Sequence, residues 1–188
     1  MVELKLKDID LGYWRKLVVR DINFEVKPGE MLGIVGANGC GKSTIIKALG
    51  RIIKPFSGHI LLNDKDIEQI PRVELSRLLG VVPQMPLLPS TFTAFEIVLM
   101  GRNPHLGLFQ YEGKNDMAIA WQAMGKTATQ HLAERRIGQL SGGEIQSIVI
   151  ARVLAQQTNG ILLDEPTANL DIGRQIEILD LIKGLSQT

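Results

Sequence analysis

The sequence predicts an α/β fold whose core is interrupted by a helical insertion, and three observations carry that reading. Apolar residues form short strand-like runs on both flanks of the chain, whereas from Pro89 to roughly Gln156 their spacing is helical. An apolar run, Met31–Val35, leads through Gly36–Thr44 (GANGCGKST) into Ile45–Leu49, the strand–loop–helix order of a phosphate-binding loop. A second apolar run, Ile161–Leu163, ends in the acidic pair Asp164-Glu165.

Taken in order, Val2, Leu4 and Leu6 alternate with Glu3, Lys5 and Lys7, which predicts a half-buried strand. Val18-Val19 followed by Ile22, Phe24 and Val26 predicts a second, closed by the turn Pro28-Gly29. Met31–Val35 is nearly all apolar, as a strand covered on both faces should be. After the helix from Lys42, the breakers Pro55, Ser57 and Gly58 precede a short strand at His59–Leu62 and a turn at Asn63-Asp64. Pro71–Leu79 reads as a short helix with Pro in its first turn, followed by a strand at Gly80–Val82. Three prolines mark Pro83–Pro89 as a loop. Phe92–Met100 and Asp116–Met124 read as helices joined by the turn-rich stretch Asn103–Gly107. Glu144–Ala155 is apolar at helical spacing, Ile161–Leu163 is a buried strand, and Gly173–Leu185 is an amphipathic helix.

A chain of 188 residues suits one domain with a subdomain, and 45% apolar against 22% charged residues makes it globular. Lys and Arg number 21 against 20 Asp and Glu, so no basic excess points to nucleic acid as a partner. The single cysteine, Cys40, excludes an internal disulfide or a cysteine metal cluster, and inside the glycine-rich loop it is expected to serve as a small residue. No apolar run reaches membrane-spanning length and the N-terminus lacks a signal-peptide stretch, which predicts a cytosolic protein or one peripheral to a membrane.

The loop carries the chemistry. Glycines let successive backbone N–H groups turn toward an anion, and the helix that follows adds its positive end. Gly36, Ala37, Asn38, Gly39, Cys40, Gly41 and Thr44 are thus expected around the phosphates of a nucleoside triphosphate. Lys42 can reach the β- and γ-phosphates, and the Ser43 hydroxyl can ligate Mg²⁺. Asp164, at a strand end beside such a loop, can hold Mg²⁺ through water, and Glu165 is positioned to polarise an attacking water. In Leu140–Glu144 (LSGGE), Ser141, Gly142 and Gly143 precede a helix and make a second anion-ready end.

LSGGE resembles the signature motif of ABC ATPases, and the rest of the chain is similar to that family in order. The resemblance implies a RecA-like P-loop NTPase core with an N-terminal antiparallel β subdomain (residues 1–88 and 157–188 for the core) and an inserted helical subdomain (89–156). It implies that ATP and Mg²⁺ are bound, and that Ser141, Gly142 and Gly143 contact ATP held by the other subunit of a head-to-tail homodimer. Gln84 resembles the Q-loop glutamine, which senses the metal and water and faces the membrane partner; Asp164 and Glu165 resemble the metal-binding and catalytic acids. Asn169-Leu170-Asp171 resembles the D-loop, and Tyr13 falls where the family stacks an aromatic on adenine. Within the family, Val98–Phe109 (VLMGRNPHLGLF) resembles importers of iron–siderophores, cobalamin and haem. That implies integral permease subunits as partners, indirectly a substrate-binding protein, and a location at the cytoplasmic face of the membrane. In that stretch Arg102 and His105 can be read as metal ligands, but an isolated His in a turn is more often structural or a protein contact.

Three departures accompany the likeness. The chain stops at Thr188, before the strand that in the family ends in a switch histidine; His59, His105 and His131 all lie upstream. A truncated chain that binds ATP but turns it over slowly or not at all, with an open apolar sheet edge, is the expectation. The signature helix carries Ile145 and Ser147 where Arg or Gln is usual, and Gly125-Lys126 is expected to interrupt a helix. Two other functions fit the same motifs: a soluble ABC ATPase acting on nucleic acid or ribosomes, and a nucleotide-binding fragment without turnover. Paired cassettes or basic extensions would mark the former, and neither is present in this sequence.

Overall fold

The computed structural model describes residues 2–168 and 170–186. Strand β1 (Leu4–Tyr13) and strand β2 (Lys16–Val26) form an antiparallel hairpin, running from Leu4 opposite Val26 to Tyr13 opposite Lys16. Its turn, Trp14-Arg15, has φ of 55° and 94°, the paired positive values that match a two-residue turn to the twist of its strands. β3 (Ser57–Leu62) joins the free edge of β1, and β4 (Lys65–Asp66) joins β3, in the antiparallel order β2-β1-β3-β4. Helix α1 (Lys42–Leu49) lies against this sheet. Its Ile45, Ala48 and Leu49 share a core with Leu6, Ile9, Leu11, Ile60 and Leu62.

A second sheet pairs β5 (Leu79–Val82) with β6 (Gly160–Leu163) in parallel, so both strands end on the same side. Helix α2 (Arg72–Leu78) leads into β5 with Pro71 at its N-cap. Helices α3 (Ala94–Leu99), α4 (Lys114–Lys126) and α5 (Gly142–Ala155) share another core, with Ile97, Val98, Met124 and Ile148 fully buried. The other face of α5 packs Val149, Ile150 and Val153 with Val82 of β5 and Ile178 of α6 (Ile172–Ser186). One helix therefore ties the helical core to the parallel pair. This explains why apolar residues of α5 such as Ile148, Val149, Ile150 and Val153 are buried on more than one side of the helix.

The strand expected at Met31–Val35 does not form. Among the described residues no ladder partner flanks it, and a parallel strand without one leaves its backbone groups to water. Met31, Leu32 and Val35 are exposed, Val35 to 92%, and only Ile34 reaches the core beside α1. The helix expected at Phe92–Met100 is shorter. It starts where Thr93 and Glu96 close a capping box and gives way to a 3₁₀ stretch, Met100–His105, over most of the expected turn region. Gly125-Lys126 does not interrupt α4 but supplies its last two residues.

Arg102 and His105 brace that 3₁₀ stretch. The buried Arg102 guanidinium donates to Asp116 Oδ1 (3.0 Å), to the Ala155 carbonyl (2.8 Å) and to Gln157 Oε1 (2.9 Å). His105 Nε2 lies 2.7 Å from the Gln156 carbonyl oxygen. Both side chains serve the junction of α4 with the end of α5. Gly101 is a glycine because a Cβ there would run into the Arg152 carbonyl oxygen.

Candidate phosphate site

The geometry of the loop follows from its glycines. Gly39 and Gly41 have φ of 80° and 107°, left-handed values that any other residue adopts at a cost, and a Cβ on Gly41 would collide with Val19 Cγ2 of β2. Gly41 is the N-cap of α1. No side chain caps that end and no acidic residue stands in its first turn, so its N–H donors and positive end remain for an anion. Thr44 is buried and Cys40 is exposed, its thiol against Gly36, where a Cβ would approach Sγ to 2.8 Å. The cysteine holds the place of a small residue in a tight turn closed by Cys40 N–H donating to the Ala37 carbonyl (3.3 Å).

Five side chains converge here from three segments. Lys42 Nζ donates to the carbonyls of Gly36 (3.0 Å) and Ala37 (3.1 Å) and stands 3.4 Å from Glu165 Oε1. The Ser43 hydroxyl donates to Asp164 Oδ1 (2.8 Å), and Asp164 is only 7% exposed. Gln84 Nε2 donates to Glu165 Oε2 at 2.6 Å. The parallel pairing of β5 and β6 causes this meeting: Gln84 lies two residues beyond β5 and Asp164-Glu165 follow β6, on the side where both strands end. Asp164 N–H donates to the Val82 carbonyl (3.0 Å), which extends the ladder one step and fixes the acid. Glu165 sits at φ 45°, a left-handed backbone rare for a non-glycine residue and worth about 1 kcal/mol of strain or more.

Chemically, the cluster sets one cation and two carboxylates beside an open helix end. Ser43 Oγ and Asp164 Oδ1 are adjacent hard oxygens, the donor type that Mg²⁺ prefers. Tyr13 ends β1, and Lys47 of α1 lies 5.9 Å from its ring centroid, so the tyrosine faces the loop helix. The neighbouring Trp14, 98% exposed in the hairpin turn, is a second aromatic that sequence reasoning passed over. Its signal was position alone, one residue beyond Tyr13.

Ser141, Gly142 and Gly143 stand apart. Among the described residues no hydrogen bond or ion pair joins 141–143 to 36–44. Ser141 caps α5 by accepting from Glu144 N–H (3.4 Å), while Glu144 Oε2 accepts from Ser141 N–H (2.7 Å) and from its hydroxyl (2.8 Å). Those bonds hold the Glu144 carboxyl below its ordinary range; burial opposes them, and Arg135 and Arg174 add to the depression. A Cβ on Gly142 would meet open space. Of the D-loop triplet, Asn169 lies outside the described residues; Leu170 accepts from Gln175 and Asp171 Oδ1 accepts from Arg174 N–H.

The fold and this cluster together define a P-loop nucleotide-binding protein of the ATPase class. The model of the ABC transporter family matches residues 19–168. The iron(3+)-hydroxamate import ATP-binding protein of Bacillus subtilis (strain 168) is 38% identical over 187 residues, covering 100% of this chain and 70% of that protein. A solved inward-facing ABC transporter of metal-chelate type superposes with a TM-score of 0.85 at 34% identity, over 100% of this chain and 69% of that one. A dimeric ATP-binding cassette in a post-hydrolysis state, bound to ADP and Pi, gives 0.84 at 28% identity over 97% and 82%. The chain belongs to the ABC transporter family as an ATP-binding subunit, and that family hydrolyses ATP to drive transport. The expected α/β nucleotide-binding fold is likewise that of these relatives.

Proposed function

We propose that this chain powers import of an iron–siderophore or related metal chelate. It works as a head-to-tail pair docked on integral permease subunits at the cytoplasmic face of the membrane, fed indirectly by a substrate-binding protein. The single observation that supports the ATPase part is the meeting of Lys42, Gln84 and Glu165 beside the Ser43–Asp164 bond. The likeness to an iron-hydroxamate import subunit and to a metal-chelate transporter supports the cargo class. The likeness to a dimeric cassette supports the pair. No helix among the described residues is long and apolar enough to cross a membrane, which fits a subunit that reaches the membrane through partners.

In this reading residues 1–88 and 157–188 are the nucleotide-binding core and 89–156 the helical subdomain. The loop from Gly36 to Thr44 wraps the phosphates, Lys42 neutralises the β- and γ-phosphates, and Tyr13 stacks on adenine. Ser43 and Asp164, with Gln84 near them, would hold Mg²⁺, which when bound supplies positive charge to the triphosphate. Triphosphate draws Lys42 away from Glu165. The freed carboxylate accepts a proton from the attacking water, which Gln84 orients. Ser141, Gly142 and Gly143 of the second copy close over the γ-phosphate with their helix end.

The test separates the steps. Lys42→Ala weakens ATP binding roughly 10- to 100-fold, as loss of a charge-assisted contact does. Glu165→Gln keeps ATP binding while turnover falls about 10²- to 10⁴-fold, the share general-base catalysis supplies. Equal turnover by wild type and Glu165→Gln would remove Glu165 from the chemistry. Co-purification with ribosomes or DNA in place of integral membrane subunits would overturn the importer reading.

A further inference from the structure

Arg174 occupies a place that the phosphate cluster does not use. Its backbone N–H donates to Asp171 Oδ1 (3.0 Å), so the residue lies in the first turn of α6, directly behind Asp171. Its guanidinium donates to Glu177 Oε2 at 2.7 Å, across one helical turn. With the head fixed there, the aliphatic stem lies across the first turn of α5: a Cβ added to Gly143 would stand 3.3 Å from Arg174 Cγ and 3.4 Å from Cδ. Arg174 also adds to the positive field on Glu144, whose carboxylate closes the Ser141 cap. On this side a cavity of about 320 Å³, lined by Glu144, Ser147, Arg174, Ile178 and Leu181 among others, lies next to the turn, whose own bonds are the Ser141–Glu144 cap and the Ser147 hydroxyl donating to the Gly143 carbonyl (3.1 Å).

An exposed i,i+3 ion pair contributes little stability. The Arg174–Glu177 pair therefore matters for where it holds the stem. We propose that Arg174 is a positioning residue: it links the Asp171 end of α6 to the Ser141–Gly143 turn and holds that turn in register for the nucleotide of a second copy. The inference rests on the two-copy reading above. It assigns the coupling of D-loop and signature turn within one chain to a single side-chain contact. Displacement of a helix end by the width of one methylene is enough to spoil an oriented contact to phosphate, whereas the chain's own phosphate loop, joined to this turn by no hydrogen bond among the described residues, is left untouched.

The full chain carrying Glu165→Gln tests this, because ATP held without turnover accumulates any closed pair. Two quantities are read: affinity of the monomer for a fluorescent ATP analogue, and ATP-driven dimerisation by light scattering. Adding Arg174→Ala is expected to weaken dimerisation tenfold or more, on the order of the loss that misorientation causes, with nucleotide affinity of the monomer within about twofold of the parent. Arg174→Lys, which keeps the stem and a charge, restores dimerisation, and Arg174→Met restores it in part. Dimerisation by Arg174→Ala equal to that of the parent overturns the inference alone. So does a parallel loss of monomer affinity, or a lowered melting temperature that Lys does not rescue, since either marks a merely structural residue. A Glu165→Gln parent that binds ATP yet stays monomeric overturns the two-copy reading, and the inference with it.

Discussion

Gly41 shows how one residue couples sequence to site. It starts α1 with φ of 107°, and a Cβ there would meet Val19 Cγ2 of β2. Gly41→Ala is therefore expected to cost about 1–3 kcal/mol through backbone strain and collision, and to weaken ATP binding as the loop shifts; thermal unfolding and nucleotide titration check both. Unchanged melting and affinity would mean that β2 yields. The residue types of the site were legible in the chain because each is dictated by chemistry: glycine for inward-turned N–H groups, lysine for phosphate, hydroxyl and carboxylate for a hard cation. Their state was not legible. That Glu165 receives Gln84, and that Ser43 is spent on Asp164, are consequences of packing across 81 and 121 positions of sequence.

Elements were read well where periodicity carried them and poorly where a neighbour decided. α5 and α6 fall within a residue or two of expectation, because apolar spacing and the Ser141 cap both mark α5. Of the 3₁₀ stretch Met100–His105, Met100 was expected to end a helix and Asn103–His105 to be turn, since nothing local signals that Arg102 will be buried and bound to Ala155, Gln157 and Asp116. Asp116 is the element-scale test. The Gly113 N–H, then the Arg102 guanidinium, hold its carboxyl below the ordinary 3.8, against the opposing effect of burial. A depressed carboxyl pKa contributes stability that is present in full above the unfolded value and lost as pH falls through the folded one. Asp116→Asn should thus lower the melting temperature most near neutral pH, and the gap to wild type should close below about pH 4. A gap of constant size across that range would assign the effect to shape and not to charge. Removing the other partner, Arg102→Ala, is expected to cost about 3–5 kcal/mol, because a paired carboxylate is then left partly buried; urea unfolding measures it.

Over the whole molecule, the parallel pair β5 and β6 sets the site by ending both strands on one side, and α5 binds that pair to the helical core. The segment Met31–Val35 is the exception, apolar and exposed beside the loop it delivers. Unpaired apolar backbone invites association with other chains, and a lysine blunts such an edge. Met31→Lys is expected to reduce concentration-dependent scattering of the isolated chain while leaving ATP affinity unchanged. Scattering that persists would place the sticky surface elsewhere, for example at Leu108 and Phe109, both exposed.

The sequence alone determined the chemistry: GANGCGKST, Asp164-Glu165 and LSGGE are local patterns, and local backbone and side-chain chemistry requires them wherever they occur. It determined the fold class for the same reason, since alternation and helical spacing are written residue by residue. Only the tertiary structure decided which of these groups meet. It joined Lys42, Ser43, Gln84, Asp164 and Glu165, left Ser141–Gly143 outside that cluster, and set Arg174 against Gly143. It also denied Met31–Val35 its strand. A ladder needs a neighbour in space, and no pattern within five residues can supply one.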